Sequence, residues 1–191
     1  VEDSDEDLLD RYKSGEVGAL AILVERYRRQ LFSFILRMAP SADADEIFQD
    51  VWLRVIRKAG AYRRDCFRGW VYRIAHNLLI DHSRRRKQTI DPSVPGDDGQ
   101  NGTWVDNLPA RERSPAAAAQ GNEVQARIRL AVSQLSPDQR EVFLMRVEGD
   151  IPFREIARSQ GVSINTALAR MHYAVCRLRK VLHEERTAME K

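Results

Sequence analysis

Apolar side chains recur at three- and four-residue spacing early in the chain, where Leu20, Leu23, Val24, Tyr27, Leu31, Phe34, Ile35 and Met38 form one stripe. That period predicts an amphipathic helix, and Pro40 ends it by lacking an N–H and clashing with the preceding turn. A second helix is expected from near Asp43, with Ile47, Val51, Val55 and Ile56 turned inward. Its outward positions are Asp45, Glu46, Gln49, Asp50 and Arg54. A third helix covers Phe67 to Arg86, with Trp70, Ile74 and Leu78 along its apolar face. No strand-like alternation interrupts the run from Leu8 to Lys87, so residues 1–87 read as one helical domain.

The pattern then lapses. Asp91, Pro92, Ser93, Val94, Pro95, Gly96, Asp97 and Asp98 open a stretch of turn formers and acids with hardly an apolar side chain, which predicts a flexible acidic linker over residues 88–123. Periodicity resumes with Val124, Ile128, Ala131, Val132 and Leu135 as a core face. The expected fold class is all-α: two helical domains, residues 1–87 and 124–191, joined by that linker.

Within the second domain, Phe153-Arg154-Glu155-Ile156-Ala157-Arg158-Ser159-Gln160-Gly161-Val162-Ser163 reads as a helix-turn-helix. Ala157 is small where two helices must cross closely, and Gly161 suits a left-handed exit from the first helix. Val162 is expected in the core. Ser163 can cap the second helix, whose stripe is Ala167, Met171, Ala174, Leu178 and Leu182. This geometry presents one helix to a DNA major groove.

Charge supports a nucleic-acid partner only locally. The 191 residues carry a formal net charge of just +3, but cations gather at Arg84-Arg85-Arg86-Lys87, at Arg28-Arg29 and around Arg177, Arg179 and Lys180. Cys66 and Cys176 are far apart and form no Cys-x-x-Cys pair, so neither a disulfide framework nor a zinc knuckle is expected. His172 and Cys176 sit one helical turn apart without further ligands, which makes a weak metal site, and none is assigned. No nucleophile triad, metal cluster or glycine-rich phosphate loop marks an enzyme, and no cofactor is expected. No apolar run approaches the roughly 18–20 residues that span a bilayer, and the start Val1-Glu2-Asp3-Ser4-Asp5-Glu6-Asp7 is too acidic for a secretory leader. A cytoplasmic protein without membrane insertion is the expectation.

Phe67-Arg68-Gly69-Trp70-Val71-Tyr72-Arg73-Ile74-Ala75-His76-Asn77-Leu78-Leu79-Ile80-Asp81-His82-Ser83-Arg84-Arg85 resembles the promoter-melting signature of the extracytoplasmic-function (ECF) sigma factors of bacterial RNA polymerase, in the sigma-70 superfamily. Asp45-Glu46-Ile47-Phe48-Gln49-Asp50-Val51-Trp52 is similar to the family's polymerase-docking helix, and Leu135 to Leu182 to its second, helix-turn-helix domain.

The resemblance implies three sets of site residues. Asp45, Glu46, Gln49, Asp50 and Arg54 would dock the clamp of the polymerase largest subunit, a role suited to a charged, one-sided face. Tyr62, Arg63, Arg64, Asp65 and Phe67 would hold a base flipped from the minus-ten element. Asn77 and Asp81 would meet base edges while Arg84, Arg85 and Arg86 hold phosphates. Ser163, Asn165, Thr166, Leu168, Ala169, Arg170, His172 and Tyr173 would read the minus-thirty-five element. Here Thr166-Ala167-Leu168-Ala169-Arg170 departs from the family's commoner Thr-Val-Lys-Ser-Arg, so an apolar contact from Leu168 to a thymine methyl replaces a cation. The implied partners are core RNA polymerase, engaged at the clamp and at the flap region, together with promoter DNA and an anti-sigma factor. The rival reading is a helix-turn-helix regulator whose first domain senses a signal or partner.

Overall fold

The computed structural model describes residues 3–63, 65–89 and 126–189. Arg64 and the expected linker lie outside the described residues, except for Gln88 and Thr89, which extend the basic helix. Everything described is helix, turn or short connection.

The first domain begins with α1, Asp5–Lys13, capped by the Ser4 hydroxyl, which accepts the Asp7 N–H at 3.1 Å. Asp5, Glu6 and Asp7 in its first turn favour the positive end of the helix dipole. The long helix α2, Val17–Met38, buries Leu23, Tyr27, Leu31, Phe34 and Ile35 and ends just before Pro40, as the stripe predicts. A 3-10 turn over Ser41–Asp43 leads into α3, Ala44–Lys58, which seats Ile47, Val51 and Val55. Ile56 does not join them and stays 39% exposed. At about 100° per residue it is rotated off the line from Val51 to Val55, so its expected burial is corrected. Helix α4, Phe67–Thr89, runs past the predicted end and packs against α3.

The second domain contains a short helix over residues 126–133 (α5), then α6, Pro137–Val147, α7, Phe153–Gln160, and α8, Ile164–Met189. Pro137 stands in the first turn of α6, where its missing N–H has no intrahelical partner to lose. Ala131, Val132 and Leu135 are buried as expected, but Ile128 is 38% exposed on α5. Gly161 adopts φ 63°, ψ 32° at the end of α7, and the Val162 N–H then reaches the Ala157 carbonyl at 3.0 Å. A side chain at Gly161 would be strained in this left-handed conformation, which explains the glycine. Ala157, Ala167 and Ala174 are buried, and α8 packs on both α6 and α7.

The two helical domains pack against each other. Helix α7 lies on α4, and α6 lies on α2.

Candidate nucleic-acid interface

The loop before α4 is held from behind by aromatic packing. Tyr62 is 9% exposed and stacks at a tilt on Trp70, ring centres 4.9 Å apart, while Phe67 is 1% exposed and meets Tyr27 edge-on at 5.7 Å. One carboxylate oxygen of Glu6 accepts both the Tyr62 hydroxyl, at 3.3 Å, and the Phe67 N–H, at 3.2 Å, so α1 pins both ends of the loop. Burial lifts the Tyr62 hydroxyl above the usual phenol range and keeps it a donor. These rings belong to the core and cannot stack on a base without leaving it. Among the described residues of the loop, Arg63 and Asp65 are exposed.

Along α4, Asn77 is exposed one turn before Asp81, which is half-buried and paired with Arg54 at 3.5 Å. Arg54 from the docking set and Asp81 from the base-reading set thus neutralise each other. Arg84, Arg85 and Arg86 are exposed, with Arg86 3.9 Å from Asp43. On α3, Asp45, Glu46 and Gln49 face outward and Asp50 is half-buried. Glu46, Asp50 and His82 place ligand atoms within 4.8 Å of one another, a grouping that exposed acids often make without an ion.

On α8, Asn165, Thr166, Leu168, Ala169, His172 and Tyr173 are exposed along the expected recognition face, Leu168 by 44% and Tyr173 by 63%. Ser163 caps the helix, its hydroxyl accepting the Thr166 N–H at 3.1 Å and lying 2.9 Å from the Thr166 hydroxyl. Arg170 is turned back instead, donating to the Gln160 side chain at 2.7 Å and pairing with Asp138 at 2.5 Å. His172 and Cys176 touch at 3.6 Å.

The seam between the domains uses residues that patterning did not single out. Glu141, 4% exposed, places its Oε1 2.5 Å from His76 Nδ1 and accepts the Gln160 amide on its other oxygen at 2.6 Å. Glu148 bonds Arg37 and accepts the Ser33 hydroxyl at 3.3 Å. Burial raises its carboxyl above the ordinary range, with Arg37 opposing the shift. Glu155 packs on Gly69, where an added Cβ would fall 2.8 Å from its Cγ, and Arg158 Nη1 lies 3.0 Å from its Oε1. Arg158 and Arg154 also cross to Asp65, at 2.8 and 3.2 Å. The Arg158 hydrogen bond, reinforced by the charge of Arg154, holds the Asp65 carboxyl below its usual range. The signal in the sequence was an acid on each buried face: Glu141 is one turn before Met145 and Glu155 one turn before Ser159, all four buried.

Residues 23–89 match the model of Sigma-70 region 2, and residues 125–178 match that of Sigma-70, region 4. The ECF RNA polymerase sigma factor SigE of Mycolicibacterium smegmatis is 29% identical over 170 residues, 87% of this chain; the chain spans 63% of that relative's length. The RNA polymerase sigma-H factor of Pseudomonas aeruginosa is 26% identical over 91% of each chain, and the ECF RNA polymerase sigma-E factor of Escherichia coli K12 is 23% identical over 90% of each. Among solved structures, CnrH in complex with the cytosolic domain of CnrY shares the fold at a TM-score of 0.65 and 21% identity, covering 95% of this chain and 99% of that one. The sigma factor RpoE in complex with the anti-sigma factor NepR, from Bartonella quintana, gives 0.62 at 18% identity, covering 85% and 96%. With region 2 and region 4 in order and relatives aligned along most of its length, the chain belongs to the ECF group of the sigma-70 family.

Proposed function

We propose that this protein is the promoter-recognition subunit of an RNA polymerase: it binds the core enzyme, reads a minus-ten element with region 2 and a minus-thirty-five element with region 4, and assists strand opening. The observation that carries this reading is the presence, in one chain, of two outward DNA-type surfaces. One is the basic end of α4 beyond Asn77; the other is the exposed face of α8 from Asn165 to Tyr173. A regulator working through one helix-turn-helix has no need of the first.

Asp45, Glu46 and Gln49, with Asp50 beside them, supply the docking face toward the clamp of the largest polymerase subunit, and region 4 meets the flap region. Arg84, Arg85 and Arg86 hold phosphates, Asn77 reads a base edge, and Arg63 and Asp65 guide the flipped base. The subunit contributes position and binding energy rather than a reaction of its own. It works in the cytoplasm beside its polymerase; no helix among the described residues is long and apolar enough to cross a membrane. An anti-sigma factor restrains it, as NepR is paired with RpoE in the Bartonella complex.

The test is transcription by core polymerase from a random promoter library with this protein added. Transcripts starting downstream of two paired elements at fixed spacing are expected. Binding to a single element, independent of polymerase, would instead identify a helix-turn-helix regulator.

A further inference from the structure

We propose that Glu46, Asp50 and His82 form a binding site for one first-row divalent transition-metal ion, such as Zn²⁺, and that an ion held there withdraws two carboxylates from polymerase docking. The inference rests on the sigma-factor reading, which assigns those carboxylates to docking, and adds to it a ligand and a means of control.

Helices α3 and α4 lie against each other, and charge along their seam is matched except at one place. Asp43 of α3 stands 3.9 Å from Arg86, and Arg54 stands 3.5 Å from Asp81. Between those two pairs along α3, Glu46 and Asp50 are four residues apart and share one face. Among the described residues, no arginine or lysine pairs with either. They face His82 of α4, and one ligand atom from each of the three groups lies within 4.8 Å of the others.

Two carboxylates alone would be an ordinary acidic patch, but the histidine changes its character. His82 Nε2 is buried and makes no hydrogen bond among the described residues. Its neighbour Glu46 Oε1 is 4.0 Å away, beyond hydrogen-bond reach. Buried polar atoms are nearly always paired, so an unpaired imidazole nitrogen facing two carboxylates calls for a ligand that all three can bind. A divalent cation is such a ligand: it takes the imidazole lone pair and offsets the repulsion between the acids.

The donor set narrows the ion. Imidazole with carboxylates suits Zn²⁺, Co²⁺ or Ni²⁺, whereas Ca²⁺ and Mg²⁺ prefer oxygen alone and Cu⁺ prefers sulfur. Zinc ligands at about 2.0–2.2 Å in a tetrahedron lie roughly 3.4 Å from one another, so the three groups must draw in by at most about 1.4 Å. The Glu46 side chain, 69% exposed, is free to make that move, while Asp50 and His82 are half-buried and already placed. Three protein ligands leave a fourth position for water.

Occupancy acts on docking through charge. Carboxylates bound to the ion no longer present themselves to the clamp, and the two positive charges of the ion neutralise the acidic centre of the face. The metal-loaded chain is therefore the weaker ligand for polymerase.

Calorimetric titration of the full chain with zinc chloride measures the site. His82→Gln removes one ligand and lies outside the docking residues; Asp50→Asn, read only for metal binding, removes another. Cys176→Ser controls for the other metal-type pair, His172 with Cys176. Circular dichroism checks that each variant keeps its helices, and affinity for core polymerase is measured with and without saturating zinc.

One zinc ion per chain is expected. His82→Gln and Asp50→Asn should bind it at least about tenfold more weakly, since losing a ligand costs no less than losing a group that supports one, and Cys176→Ser should bind it equally well. Zinc should lower the polymerase affinity of the parent chain by about fivefold or more and leave that of His82→Gln unchanged, while without zinc the two should dock alike. Absence of zinc binding, zinc binding that His82→Gln does not weaken, or a loaded chain that docks as well as the zinc-free one would overturn the proposal. Failure of the zinc-free parent chain to bind polymerase would overturn the sigma-factor reading instead, and the calorimetry would still judge the metal site.

Discussion

His76 Nδ1 lies 2.5 Å from Glu141 Oε1, joining the helix that carries Asn77 to α6, the helix before the helix-turn-helix. The two side chains are only 12% and 6% exposed, and Glu141 meets His76 with one oxygen and the Gln160 amide with the other. Glu141→Ala leaves His76 and the Gln160 amide without their shared acceptor, a loss of about 1–3 kcal/mol for a buried hydrogen-bonded pair. The expected outcome is a less cooperative thermal transition, with the two domains unfolding apart. A single transition at the parent temperature would show that the pair does not hold the domains together.

Reversing charge at Asp45 and Glu46 is expected to weaken polymerase binding at least tenfold, about 1.4 kcal/mol. Both are exposed and lie opposite Ile47 and Val51, so helicity should be unchanged. Titration of core polymerase, with circular dichroism as the control, measures both. Native helicity with full affinity would move docking to another face.

Neutralising Arg84 and Arg86 should lower affinity for every promoter and flatten the salt dependence by about 0.9 in log–log slope for each phosphate left without its cation. Asn77→Ala should behave differently, changing preference at one minus-ten position by about 1–3 kcal/mol. Holoenzyme binding to a set of promoter variants at several salt concentrations separates the two effects. Equal action on all promoters would merge positioning and reading into one role.

Leu168 stands 44% exposed on α8 between Ala167, which is buried, and Ala169. Leu168→Lys should therefore strengthen binding to all sequences and blur the minus-thirty-five preference, since a phosphate-seeking cation replaces an apolar contact. Selection of binding sites by the holoenzyme reads this out. An unaltered preference would place Leu168 away from the bases.

Glu148 gives the packing of the two domains a pH dependence of defined sign. Burial raises its carboxyl above the ordinary 4.5 in the folded chain, where it faces Ser33 and Arg37 of α2 and Tyr72 of α4, with Arg140 donating to the Arg37 carbonyl nearby. The folded chain then holds the proton more tightly than the unfolded one. Packing should strengthen as pH falls through the raised value, and the gain should be complete below 4.5. Asp65 acts in the opposite direction and lower down: its contribution is present above 3.8 and is lost as pH falls through its depressed folded-state value. Thermal unfolding at a series of pH values should show the packing of the two domains in the parent chain strengthening from neutral pH toward 4.5 while Glu148→Gln changes less. Identical profiles would place the Glu148 titration outside the packing of the domains.

Helices α2, α3 and α4, and the turn between α7 and α8, were all legible in the sequence because their causes are local. A three-and-four period selects the buried face, Pro40 stops α2, Gly161 takes a left-handed turn, and Ser163 supplies a cap. The exposed parts of the candidate surfaces were equally legible, since Asn77, Arg84, Leu168 and Tyr173 need only their helical phase to point outward. Local pattern could not decide what lies across a gap in the sequence. The pairing of Arg54 with Asp81, the turning back of Arg170 to Gln160, and the burial of Tyr62 and Phe67 all depend on which helices become neighbours. The domain seam shows the same limit most clearly. Glu141, Glu148 and Glu155 look like ordinary surface acids until tertiary packing brings His76, Arg37 and Gly69 against them, because the free energy of a buried charge is set by partners that only the fold supplies.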